Sequence, residues 1–136
     1  MELLARREHS RLELWQKLRQ RGLSSEYIEP VLDQLMEEGL LDESRYAEVY
    51  ACSRADKGYG PLRIDRELRE RGVPQDLVNA ALAALADDWL PGLRKLHDKR
   101  FKARVPTDNA ERMQQIRVFR QHGFTQEQIK CLFESI

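Results

Sequence analysis

The strongest chemical signal in this 136-residue sequence is a run of basic side chains in its last third. Between Arg94 and Arg104 stand six lysine or arginine residues and a single acid, Asp98. A run of this kind favours an anionic partner, because cations without acidic neighbours attract phosphate or carboxylate groups. The alternative, an ordinary solvated helix face, stays open at this point.

A second candidate is the segment from Lys57 to Pro61, which joins two helical patterns through two glycines. It lacks the GxxxxGK[ST] spacing of a P-loop, and a plain corner between helices explains it as well as a binding role does. In the binding interpretation, Arg54, Lys57 and Arg63 surround open backbone amides at the start of the next helix. Tyr59 is then available to stack on a base or on a partner side chain.

The helix after this corner carries charges of both signs at i, i+4 spacing, as in Arg66 and Glu70. Such pairs neutralise each other, which leaves Arg63 and Arg71 as the freer charges. We therefore predict one binding surface on the middle of the chain. Its members are Arg54, Lys57, Tyr59, Arg63, Arg66, Arg71, Arg94, Lys95, Lys99, Arg100 and Lys102.

Catalytic and metal-binding patterns are weak in comparison. His9, His97 and His122 fall on different predicted helices, and none matches the HExxH spacing of a zinc site. Cys52 and Cys131 are too few and too far apart for a disulfide framework, so we expect reduced and mostly buried thiols. The sequence therefore predicts a protein that is not an enzyme and needs no metal or cofactor.

Composition limits the possibilities further. The net charge is zero, yet residues 51–105 hold 12 basic and 8 acidic side chains while residues 1–50 hold 7 and 11. Hydrophobic residues make up 41%, which is enough for a folded core, and a length of 136 residues allows one domain or a short row of stacked units but not two independent cores. No apolar stretch approaches the roughly 20 residues of a membrane span, and no secretory signal opens the chain. We therefore expect a cytoplasmic protein.

Three segments repeat one pattern around a glycine, at Gly22, Gly72 and Gly123, with separations of 50 and 51 residues. Glycine in this position closes a helix, and capping residues such as Ser10 and Thr125 open others. The patterns predict an all-α protein with about nine helices in three tandem repeats. The predicted helices cover about 2–8, 11–21, 25–38, 43–57, 61–71, 74–86, 89–103, 108–122 and 125–136.

The register also predicts the division of the chain. A short opening helix occupies 1–9, a first repeat 10–58, a central repeat 59–105, and a third repeat of two helices 106–136. Pro30 is the misfit, because it lies inside a predicted helix where it removes a backbone hydrogen bond. We expect a late helix start or a kink there.

The residues so far considered resemble those of the RecX regulatory proteins. The resemblance rests on Leu4 to Ser10, on Glu37 to Asp42 with Arg45 to Ala47, and above all on Lys57 to Ile64 with Glu67-Leu68 and Gly72-Val73. Asp88-Trp89 and the segment Phe119 to Ile129 are similar to later parts of the family's sequences. The similarity thus extends over nearly the whole chain.

This resemblance implies an elongated, curved row of three-helix repeats that lies in the groove of a RecA filament on single-stranded DNA. There such a protein limits recombination, ATP hydrolysis and co-protease activity, and so acts in DNA repair and the SOS response. It implies a monomer that binds RecA and the DNA within its filament. Two alternatives stay open: a protein that binds free single- or double-stranded DNA directly, and a helical scaffold for an unrelated partner.

Overall fold

The computed structural model describes residues 8–136, and within them it contains helices and no strand. Each helix begins within one residue and ends within three residues of its predicted bounds, so the all-α prediction is confirmed. The predicted helix at 2–8 falls outside the described residues. The helices are α1 (Arg11–Gln20), α2 (Ser25–Glu37), α3 (Glu43–Asp56), α4 (Pro61–Glu70), α5 (Gln75–Ala83), α6 (Trp89–Phe101), α7 (Asn109–Gln121) and α8 (Gln126–Ser135).

Capping side chains fix the starts of several helices. Ser10 accepts a hydrogen bond from the Glu13 amide, and the Glu13 carboxylate accepts one from the Ser10 amide in return. Thr125 and Gln128 repeat this reciprocal capping box at α8. Each box satisfies two backbone amides that a helix start would otherwise leave without partners, so the capping pattern in the sequence locates these helix starts.

Left-handed residues close the helices. Gly22, Gly72 and Gly123 follow α1, α4 and α7 with φ of 97°, 80° and 98°, which confirms their predicted role as helix stops. After α6 the same conformation falls on Lys102 (φ 54°) and Ala103 (φ 60°), where no glycine is available. A side chain in this region costs roughly 1–2 kcal/mol, so the turn after α6 is strained.

The helix that contains Pro30 begins at Ser25, so the expected late start is wrong. Proline removes one amide, which leaves the carbonyl of Glu26 without its helical donor. Both residues lie on the exposed side of α2, where water reaches that carbonyl. Exposure therefore lowers the cost of proline here, and the alternative of a kink stays a prediction.

Buried side chains form two separate cores, contrary to the expectation from the length of the chain. The smaller core lies between α1 and α2 and includes Leu14, Ile28 and Leu41. The larger core is shared by α3 to α8 and includes Ile64, Leu93 and Phe119 among its members. Because the cores have no buried residue in common, the first two helices form a block of their own.

The main packing pairs join helices that are near neighbours in order, as in a solenoid. Helix α3 packs most extensively on α5 and also contacts α4, while α6 packs on α8, which also contacts α7. This groups α3 with α4 and α5, and α6 with α7 and α8. The predicted repeat boundaries at residues 10, 59 and 106 stay a prediction. In the described part of the chain, every helix falls short of the length and apolar character needed to cross a bilayer.

A basic cleft as the candidate binding surface

The glycine-rich corner between α3 and α4 is bound to the corner between α7 and α8. The Gly60 amide donates to the carbonyl of His122 at 2.7 Å, and the Leu62 amide donates to that of Gly123 at 2.9 Å. A Cβ on Gly60 would lie 2.6 Å from the backbone of Gly123 and Phe124. The Leu62 amide predicted to be open to a phosphate is therefore occupied by the chain itself.

Tyr59 is likewise engaged within the molecule. Its ring stacks on His122 with centroids 5.3 Å apart, and the guanidinium carbons of Arg54 and Arg63 lie 4.0 and 4.4 Å from its centroid. These contacts are the geometry of cation–π and aromatic packing. Tyr59 thus has partners within the molecule, and its stacking on a base or on a partner side chain stays a prediction.

Glu67 holds the arginines of this corner. Its carboxylate accepts hydrogen bonds from Arg54 at 2.9 and 3.1 Å, from Arg63 at 3.3 Å and from the Tyr50 hydroxyl at 3.0 Å. Burial alone would raise the pKa of Glu67, but the hydrogen bonds from Arg54 and Tyr50 and the charge of Arg54 outweigh it, so the pKa is lowered. Glu67 thus stays ionised at the centre of a structural cluster.

The prediction that Arg63 and Arg71 are freer charges is wrong for the same reason. Arg63 also donates to the Gln121 carbonyl at 3.3 Å, and Arg71 donates to the Glu67 carbonyl at 3.0 Å and lies over the Tyr50 ring. Arg66 pairs loosely with Glu70 at 3.8 Å, as its spacing predicts. Arg54, Arg63 and Arg71 therefore hold α4 against its neighbours, whereas Arg66 lies on the surface.

His122 lies where the joint meets the cleft described next. Its Nδ1 donates to the Gly58 carbonyl at 3.2 Å, a bond that fixes the position of the ring. Burial lowers the pKa of His122, and the nearby charges of Arg100 and Arg63 lower it further, although the bond to Gly58 opposes this. The ring is therefore held in its neutral form against the corner.

A cleft of about 840 Å³ opens beside this joint, between the end of α3, the segment after α5, and α6. Leu85 and Leu96 are each only 8% exposed and form its apolar floor with Ala55 and Pro91. Lys57, Lys95, Lys99 and Arg100 line it as cations, and Asp56 and Asp88 line it as acids. The remaining lining residues are Cys52, Gly58, Gly92 and His122.

The basic side chains of α6 differ from those of α4 in having no internal partner. Lys57, Lys95, Lys99 and Arg100 are exposed, and within residues 8–136 no ion pair or side-chain hydrogen bond engages them. Arg94 and Lys102 are also exposed but do not line the cleft. The structure therefore divides the eleven predicted surface residues into those around α4, most of which are engaged within the molecule, and an unpaired group formed by Lys57 at the end of α3 and the basic residues of α6 and its C-cap.

Sequence reasoning missed the apolar half of this cleft. Pro91 and Gly92 lie in the first turn of α6. In the sequence, their spacing and their neighbours are those of an ordinary helix start. Cys52 and Cys131 are free and exposed, so the expectation of buried thiols is wrong. Cys131 stands on the solvent side of the amphipathic helix α8, a position that the helical period could have indicated, whereas α3, which carries Cys52, has no comparable apolar face.

No group of three or more histidine, cysteine or acidic side chains in residues 8–136 is placed to hold a metal ion. The residues that line the cleft offer a partner both charge and apolar contact.

Two family models match the sequence. The model described as RecX, first three-helix domain, matches residues 1–35, and that described as RecX, second three-helix domain, matches residues 42–82. The second match begins at the cap of α3 and ends within α5. It therefore covers the three helices that pack together in the centre of the molecule.

Relatives with similar sequences carry the name regulatory protein RecX. That of Halorhodospira halophila is 47% identical over 131 residues, which cover 96% of this chain and 81% of the relative. That of Pseudomonas fluorescens Pf-5 is 47% identical over 132 residues, which cover 97% and 85%. Both alignments extend over almost the full sequence.

Solved structures agree in fold. The crystal structure of RecX from Lactobacillus salivarius matches with a TM-score of 0.84 at 19% identity, over 98% of this chain and 89% of that one. A second crystal structure, of a regulatory protein RecX, matches with a TM-score of 0.85 at 21% identity, over 98% and 68%. At such identities the agreement concerns the arrangement of helices.

Proposed function

The chain belongs to the RecX family of regulatory proteins, and from this membership we propose that it binds the RecA nucleoprotein filament and restrains its recombinase, ATPase and co-protease activities. The observation that carries the proposal is the identity to proteins named as RecX over almost the whole sequence. We further propose that it does so as a cytoplasmic monomer without catalytic chemistry or cofactor, in DNA repair and the SOS response.

The binding surface that supports this function best is the unpaired basic group at the cleft. Lys57, Lys95, Lys99 and Arg100 form no ion pair with acids of the described chain and outnumber Asp56 and Asp88 in the cleft, so they are able to meet an anionic partner. A concentrated positive field of this kind raises association rates with negatively charged surfaces and is screened by salt. We therefore assign the filament contact mainly to α6, and the predicted residues around α4 to the frame that supports it.

The test is RecA ATP hydrolysis on single-stranded DNA, titrated with the wild-type protein and with the double variant Lys95→Glu/Lys99→Glu. Inhibition by the wild type that the variant loses supports both the function and the site. The matched control is Arg117→Glu/Arg120→Glu, which makes the same change of charge on exposed residues of α7 outside the cleft.

Absence of inhibition by the folded wild type would refute the proposed function. Equal inhibition by wild type and by the α6 variant would refute the site alone. Circular dichroism and urea midpoints of each variant verify that the folds compared are the same.

Direct binding to free DNA is the second candidate, because unpaired lysines along a helix face also suit a phosphate backbone. It predicts binding to naked oligonucleotides whose log K falls with log salt by roughly 0.7 to 0.9 for each phosphate contacted. Binding that requires RecA, with no such slope for DNA alone, would exclude this candidate.

A further inference from the structure

Gly92 leaves room inside the cleft that the protein itself does not need. It stands in the first turn of α6, outside the left-handed φ region, and a Cβ built on it meets no atom within 4 Å. Neither conformation nor packing therefore requires glycine here, although glycine in a helix costs roughly 0.5–1 kcal/mol relative to alanine. Gly92 lines the cleft, so the space at its Cβ position adds to the room that the cleft offers a ligand.

The walls around this space are complementary to a particular kind of ligand. Leu85 and Leu96 offer apolar contact at the floor, while four basic side chains stand against the two acids Asp56 and Asp88. The cleft volume of about 840 Å³ lies in the range of about 300–1,000 Å³ that accommodates drug-sized ligands. A short peptide segment with one large apolar side chain fits these dimensions.

From this arrangement we infer that the cleft is a docking groove for an acidic segment of a partner protein that inserts an apolar side chain over Gly92. The carboxylates of the segment meet Lys57, Lys95, Lys99 and Arg100, and its backbone N–H groups donate to Asp56 or Asp88. The inference deepens the proposed function by naming the partner's chemistry at the same cleft, and it rests on that function only for the partner's identity.

The lining favours a peptide over a nucleic acid strand. Single strands are usually held by aromatic side chains on which bases stack, and no phenylalanine, tyrosine or tryptophan lines this cleft. A phosphodiester linkage has no hydrogen-bond donor for Asp56 and Asp88, whereas a peptide backbone supplies one at nearly every residue. An apolar floor likewise adds affinity for a leucine but not for a phosphate.

The experiment measures fluorescence anisotropy with three labelled probes at low salt. The first is a short acetylated peptide of glutamate and aspartate with a central pair of leucines, the second has serines in place of the leucines, and the third is an oligodeoxythymidine. We expect the leucine peptide to bind at least about tenfold more tightly than the serine peptide, because one leucine side chain is buried.

Gly92→Gln fills the groove with a good helix former, so it should abolish peptide binding at a urea midpoint no lower than that of the wild type. Lys95→Glu/Lys99→Glu should also abolish peptide binding, because it replaces two cations of the cleft by anions that repel an acidic peptide. The control Ala80→Gln, on an exposed position of α5 outside the cleft, should leave the affinity unchanged within about twofold, as is usual for a surface substitution.

Failure of the leucine peptide to bind, equal binding of the leucine and serine peptides, or undiminished binding to folded Gly92→Gln would overturn the inference. Binding of the oligodeoxythymidine alone, lost in the same variants, would overturn it in favour of DNA. Peptide binding without any effect on RecA ATPase would leave the inference standing and refute the proposed function. RecA inhibition that survives Gly92→Gln would leave the proposed function standing and would overturn the inference that the RecA partner docks in this groove.

Discussion

Replacement of Gly60 by alanine tests the joint between the second and third groups of helices. Gly60 has φ of −98° and ψ of 176°, a conformation that alanine adopts without strain. Its only obstacle is steric, since the new methyl carbon would lie 2.6 Å from the carbonyl group of Gly123 and from the Phe124 amide. Any loss of stability in this variant therefore measures the closeness of the two corners.

The size of the loss follows from those distances. Carbon contacts are optimal at about 3.5–4.0 Å, so the corners must separate by roughly 1 Å to admit the methyl group. Such a shift breaks the two bonds from the Gly60 and Leu62 amides, which measure 2.7 and 2.9 Å. The loss of two hydrogen bonds at about 1 kcal/mol each, together with residual strain of about 1 to 2 kcal/mol, should reduce the free energy of unfolding by about 3–4 kcal/mol.

The assay is urea unfolding followed by circular dichroism at neutral pH. Gly92→Ala is the matched control, because Gly92 also has an ordinary backbone but no neighbour within 4 Å of its Cβ position. The control should gain about 0.5–1 kcal/mol from better helix propensity. A Gly60→Ala protein with the wild-type midpoint, or a control that loses as much as Gly60→Ala, would refute the steric argument.

Three further predictions concern single positions. Ala103→Gly should raise the free energy of unfolding by roughly 1 kcal/mol, because φ of 60° strains alanine but not glycine, and an unchanged thermal midpoint would contradict this. Glu67→Gln should lower it by about 2 kcal/mol at pH 7, since Arg54 and Arg63 lose a largely buried anion. The lowered pKa of Glu67 stabilises the fold above the ordinary value of 4.5 and ceases to do so as pH falls through the folded value, so the urea midpoints of wild type and variant should converge as the pH falls below 4.5. The lowered pKa of His122 means that its neutral ring stabilises the fold fully above the ordinary value of 6.5 and less as pH falls below it. His122→Phe should therefore unfold with a flatter pH dependence between pH 7 and 5, and an identical slope in both proteins would exclude this role.

Local signals in the sequence were sufficient to place the helices. Ser10, Thr125 and the three repeat glycines act on backbone groups only a few residues away, so their consequences can be inferred without knowledge of the fold. The end of α5 was placed too late because the chain tightens after Ala83 into i, i+3 hydrogen bonds with no glycine to mark the change. The presence of each helix can thus be predicted from local chemistry. The end of α5 depends instead on a change of hydrogen-bond pattern that no residue type marks in the sequence.

The candidate site depended on contacts that span the chain. Arg63 donates a hydrogen bond to Gln121, 58 residues away, and Arg54 donates one to Glu67, 13 residues away. The alternation of positive and negative charges along one helix could not show that these arginines have such partners. The charge run on α6 was recognisable because its surplus of bases is local. The sequence could not show that this run lies beside Lys57 and Leu85, because only the packing of the helices brings these residues together.

The two separate cores give the molecule unequal resistance to opening. Six buried residues hold α1 and α2, whereas sixteen hold the remaining helices. Local opening occurs most readily in the part of a structure that has the fewest buried apolar contacts. Deuterium should therefore enter the amides of Leu14 and Ile28 well before those of Ile64 and Phe119. The leading pair of helices can thus melt and reform while the block that carries the cleft stays folded.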